Sequence, residues 1–94
     1  MLSAAAARYA SQEPTNKHMV DLLRTAGDAA ELLERMGYTA VARRRDGVVT
    51  LEYWQVVGHK QYMMKHEVKG DGLSPEQLAR VCDAHFRAAL PSEQ

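Results

Sequence analysis

Four histidines and a single cysteine are the residues of this chain best suited to metal or acid–base chemistry. Cys82 and His85 stand three apart on a stretch with helical periodicity, a spacing that brings two donors to one ion, with His66 or His59 as a third ligand from elsewhere. That spacing also arises readily by chance. The plainer expectation is no metal and no cofactor, with Cys82 a small core hydrophobe and His85 a partly buried residue held by a hydrogen bond. His59 sits in a turn, accessible enough to serve as a base, and is the one weak catalytic candidate. No nucleophile motif accompanies it. His66 and Glu67 are neighbours in a strand-like run, so their side chains point to opposite faces and make no direct acid–base pair. The chain contains no glycine-rich phosphate loop, no His-Glu-x-x-His, no Cys-x-x-Cys and no Gly-x-Ser-x-Gly. No catalytic residue is expected, and a non-enzymatic protein is favoured over a minimal enzyme with a histidine-based site.

The sharpest local feature is Arg43-Arg44-Arg45 beside an Asp-Gly turn signal. Three arginines at a hairpin tip can clamp phosphates or carboxylates, and Lys60 and Lys65 can extend the positive field, with Lys69 behind them. The formal net charge of zero hides a segregation along the chain. Residues 1–34 carry three bases against five acids, residues 35–69 seven bases against three acids, and residues 70–94 two bases against four acids. Positive charge is therefore gathered where the strands are expected.

Those strands form a meander. Tyr38 to Arg44, Val48 to Val57 and Gln61 to Lys69 are β-rich runs separated by Arg45-Asp46-Gly47 and Gly58-His59, and Gly70-Asp71-Gly72 closes the third. Such short connections require antiparallel pairing. Val49, Leu51 and Tyr53 share one face of the second run with Tyr62, Met64, His66 and Val68 of the third, and this face should meet helices. Val48, Trp54 and Met63 fall on the other face, more apolar than solvent requires, and form the candidate interface. In the first run Tyr38, Ala40 and Ala42 compete with Thr39 and Val41 for the inside.

Helices flank the meander. Met19, Leu22, Leu23, Ala26, Ala30, Leu33 and Met36 recur with a 3.6-residue period after a Thr15 or Asn16 N-cap, and Gly37 is placed to end that helix. Gly27 lies within it, either tolerated or marking a close backbone contact. Ser74, Pro75 and Gln77 carry the signature of a capping box, followed by Leu78, Val81, Cys82, His85, Phe86 and Ala89 on one stripe and a stop at Pro91. Leu2 to Ala10 can form a short marginal helix before the breaker around Pro14. The expected fold is α+β, a three-stranded antiparallel β-meander packed by helices in the order (α)-α-β-β-β-α. Residues 1–13 are a short N-terminal helix or flexible arm, and 14–94 a single α/β domain.

In element order this resembles double-stranded-RNA-binding domains, which carry a lysine cluster near the start of the final helix. Here that position reads Ser74-Pro75-Glu76-Gln77, so the likeness carries no functional residue across. With one cysteine, no intramolecular disulfide forms, and MLSAAAARYA lacks the basic start and apolar core of a signal peptide. A cytoplasmic protein without membrane attachment is expected. The chain has no isoleucine and one phenylalanine, a thin apolar stock that favours burying further surface against a second copy. The expectation is therefore a small interaction or regulatory module, homodimeric and with a protein partner. In it Arg43, Arg44 and Arg45 select an acidic or phosphate-rich target while Trp54, Met63 and Val48 supply apolar contact. The alternative is DNA or RNA binding through the basic hairpin.

Overall fold

Two-residue turns dictate the sheet. In the computed structural model, which describes residues 17–70 and 72–91, Asp46 and Gly47 both take positive φ, 55° and 77°, the type I′ conformation that matches the twist of paired strands. They join β1 (Thr39–Arg45) to β2 (Val48–Val57), with Arg45 opposite Val48. Gly58, at φ 66°, leads the turn from β2 to β3 (Lys60–Val68), with Val57 opposite Lys60. The sheet is antiparallel in the order β1-β2-β3.

Both helices lie against one face of this sheet. In α1 (Lys17–Arg35) the buried residues are Ala26, Ala29, Ala30 and Leu33, an i, i+3, i+4, i+7 set. Three alanines in that stripe let α1 approach the strands and the second helix closely, which is why Ala29 joins the expected positions. Gly27 faces open space, since an added Cβ would meet nothing within 4 Å, so it is tolerated and marks no close approach.

The end of α1 is a Schellman motif. The Tyr38 N–H donates to the Leu33 carbonyl at 3.0 Å and the Gly37 N–H to Glu34 at 3.1 Å, while Gly37 adopts φ 102°. Tyr38 and Leu33 are both buried, supplying the apolar contact that accompanies this cap. Met36 falls at the point where the chain leaves the helix, and is 42% exposed rather than part of the apolar stripe.

The second helix, α2 (Pro75–Ala89), begins with the capping box expected of Ser74 and Gln77. The Gln77 N–H donates to Ser74 Oγ at 3.1 Å, and the Ser74 N–H to Gln77 Oε1 at 2.9 Å. Leu78, Ala79, Cys82 and Phe86 are its buried residues. His85, expected to be partly buried, is exposed, because the stripe that meets the core runs through Ala79 beside the expected Leu78, Cys82 and Phe86. At the far end Leu90 is extended before Pro91, as a residue preceding proline must be.

The core centres on three rings. Phe86 meets Tyr38 edge-on at 4.9 Å between centroids and lies 6.4 Å from Tyr53, and Tyr38 meets Tyr53 edge-on at 5.8 Å. With Val49, Leu51, Val68 and Leu78 around them, they hold α2, β1 and β2 together. The architecture is the helix-strand-strand-strand-helix α+β fold. The expected helix from Leu2 to Ala10, the Thr15 or Asn16 cap and Asp71 lie outside the described residues.

Candidate functional site

Strand alternation divides every candidate side chain between the two faces of the sheet. Register places Ala40 with Tyr53 and Met64, and Ala42 with Leu51 and His66, on the face covered by the helices. The uncovered face, which no element among the described residues covers, is read in rows from the Asp46-Gly47 tip: Arg45 with Val48, then Arg43, Thr50 and Glu67, then Val41, Glu52 and Lys65, then Thr39, Trp54 and Met63, and last Val56 with Gln61. Charged side chains occupy the tip half. Apolar ones occupy the other.

At the apolar end Val56 is 62% and Met63 51% exposed, on either side of a partly buried Trp54. A ten-residue β2 provides the length on which both halves fit. Val48, also expected in the interface, is 40% exposed but stands at the charged tip, three rows from the one that holds Trp54 and Met63. Trp54 and Met63 face each other directly in the register, so these two do come together.

At the charged end Arg43 Nε reaches Glu52 Oε1 at 3.2 Å, an exposed cation over a largely shielded carboxylate. Lys65 lies opposite the same Glu52 on the other side. A shallow depression of about 290 Å³ opens here, lined by Arg43, Arg45, Asp46, Val48, Thr50, Glu52 and Lys65. It offers cations to an acidic group, tempered by Asp46 and Glu52 within it and Glu67 beside it.

The arginine run does not act as one clamp. Arg44 pairs with Val49, so it belongs to the opposite face from Arg43 and Arg45. Lys60 is also separated. It pairs with Val57 at the other end of β2, roughly 30 Å from the tip at 3.3 Å per residue, and shares parity with Tyr62 and Met64 on the covered side. The positive group on the uncovered face is Arg43, Arg45 and Lys65.

Cys82 and His85 do not converge on an ion. Cys82 is fully buried, and burial pushes its thiol up to about 11, which keeps it protonated and unreactive near neutral pH. His85 is on the exposed side of α2, where its ring lies 5.8 Å from that of His66. Among the described residues no group of three or more His, Cys, Asp or Glu is placed to hold a metal. His59 is exposed in the β2–β3 turn, remote from the charged depression.

One polar assembly escaped the sequence reading. The Tyr38 hydroxyl donates to Asp83 Oδ1 at 2.5 Å, and Arg87 Nε donates to the same carboxylate at 3.2 Å, pinning the start of β1 to α2. Burial, then the hydrogen bond and charge of Asp83, push the Tyr38 hydroxyl up to about 12. Asp83 and Arg87 are four apart on a helix, a legible pair, but nothing local links them to a residue 45 positions earlier.

No protein-family model, no curated protein and no solved structure matches this chain. No helix among the described residues is long and apolar enough to cross a membrane.

Proposed function

We propose that this domain is a non-enzymatic protein-recognition module whose docking surface is the uncovered face of its sheet. The observation that carries the reading is the placement of both helices on one face, which leaves Trp54, Val56 and Met63 grouped on the other. Trp and Met are favoured at the centres of interfaces because they remove large apolar area from water while adapting to a partner's shape. Lys65 borders that area, Arg45 lies further towards the tip, and together they orient an acidic partner by charge.

Nucleic-acid binding has less support. Phosphate tracking calls for several uncompensated cations along one path. Here alternation removes Arg44, distance removes Lys60, and Glu52 takes up Arg43.

The test is affinity capture on the immobilised full chain and on two variants, Met63→Glu on the uncovered face and Arg80→Glu on the exposed side of α2. Proteins retained by the parent chain and by Arg80→Glu but lost by Met63→Glu support the reading. Retention that ignores Met63→Glu overturns it. Tight oligonucleotide binding that falls steeply with salt, and vanishes in Arg43→Ala/Arg45→Ala, overturns it in favour of nucleic acid.

A further inference from the structure

We infer that the uncovered face docks a second copy of this chain, sheet against sheet, about a two-fold axis running parallel to β2. This rests on the reading of that face as a docking surface and names its partner. An isologous contact requires one patch to complement itself. The rows of this face meet that requirement in one orientation.

Rotation about an axis parallel to β2 lays β1 of one copy over β3 of the other, row for row. Trp54 and Val56 then meet their own counterparts, and Met63 meets Thr39, so the apolar half covers the apolar half. In the row nearer the tip, Arg43 of each copy faces Glu67 of the other, two reciprocal opposite-charge pairs generated by one axis. Glu52 approaches its counterpart near the axis, but each carries Arg43 at 3.2 Å as a local counter-charge. An axis across the strands instead lays Glu67 over Met63, Thr50 over Trp54 and Lys65 over its own counterpart, which strips water from charges and sets like charges together without supplying partners. Edge-to-edge pairing along β1 or β3 leaves Trp54 and Met63 uncovered.

The available area sets the strength. Three strands about 4.8 Å apart and roughly 30 Å long present a footprint of about 400–450 Å² on each copy. Side-chain relief raises the total for two copies to on the order of 1,000 Å², the lower margin for a specific interface. The dimer is therefore weak and concentration-dependent.

Trp54 is the only tryptophan, so its fluorescence reports this contact directly. Sedimentation velocity and Trp54 emission are followed over a dilution series of the full chain. The expected result is a monomer–dimer equilibrium in which emission shifts to longer wavelength on dilution, with Met63→Glu monomeric throughout and unchanged in circular dichroism. Arg43→Glu and Glu67→Arg each weaken the dimer by about tenfold, because each creates two like-charge pairs, whereas mixing the two variants restores association in the mixed dimer. A mixture no tighter than its components overturns the proposed axis, and a dimer that survives Met63→Glu overturns the face. A chain monomeric at every concentration overturns self-association. If capture then still depends on Met63, the docking surface stands with another protein as its partner; if capture ignores Met63, the docking surface itself fails.

Discussion

Replacing Tyr38 by Phe isolates one oxygen. The ring keeps its edge-on contacts with Phe86 at 4.9 Å and Tyr53 at 5.8 Å, so the core loses no apolar contact. What goes is the hydroxyl donated to Asp83 Oδ1. A hydrogen bond to a charged acceptor contributes roughly 1.5–3 kcal/mol. Asp83 is only partly buried and retains Arg87 at 3.1 Å, which places the expected loss near the bottom of that range, about 1–2 kcal/mol. Against a stability on the order of 5–14 kcal/mol for a chain of this size, that is readily measured by urea unfolding followed by circular dichroism.

The same substitution has a pH signature of known sign. Tyr38 titrates at about 12 in the folded protein against 10.0 ordinarily, so the folded state holds the proton more tightly. Its contribution is complete below pH 10 and is lost as pH rises towards 12. The stability gap between parent and Tyr38→Phe should therefore narrow above pH 10. A double-mutant cycle with Asp83→Asn should return a coupling of about 1 kcal/mol at neutral pH. Coupling below roughly 0.3 kcal/mol, within ordinary additivity error, or a gap that widens in alkali, refutes the pairing as a stabilising contact.

Phe86→Ala removes a ring that is 1% exposed and touches two tyrosines, and should cost about 3–5 kcal/mol in the same unfolding measurement. A loss under about 1 kcal/mol would mean the three-ring cluster is not the centre of the core. Two glycines should respond with opposite signs. Gly27→Ala, mid-helix with free space around it, should raise stability by roughly 0.5–1 kcal/mol. Gly37→Ala, at φ 102° with the Gln55 amide 3.2 Å from the new Cβ, should lower it by about 1–2 kcal/mol. Equal effects at the two sites would contradict the cap assigned to Gly37.

Much of the candidate site follows from arithmetic on the turns. A two-residue loop at Asp46-Gly47 pairs Arg45 with Val48, and every later pair is then dictated, including Ala40 with Tyr53. That resolves which residues of β1 face inward, a choice left open by composition, because alanine and valine are nearly equal claimants there. The same parity separates Arg44 from Arg43 and Arg45. A run of three arginines looks like one feature only while its strand alternation is ignored.

What the sequence alone determined are the quantities that local chemistry sets: helix caps at Gly37 and Ser74, turns at Asp46-Gly47 and Gly58-His59, and the division of each strand into two faces. These interactions span a few residues, and their signals lie in that same short window. Alternation also marked the face of Val49, Leu51 and Tyr53 as the one to meet helices. Tertiary structure decided how that cover is built: α1 and α2 pack together on it, where Ala26, Ala29 and Ala79 allow close approach and Tyr38, Tyr53 and Phe86 fill the centre. It also decided which distant side chains meet, Tyr38 with Asp83 among them, because such contacts are properties of the assembled layers and leave no signal in any short window of sequence.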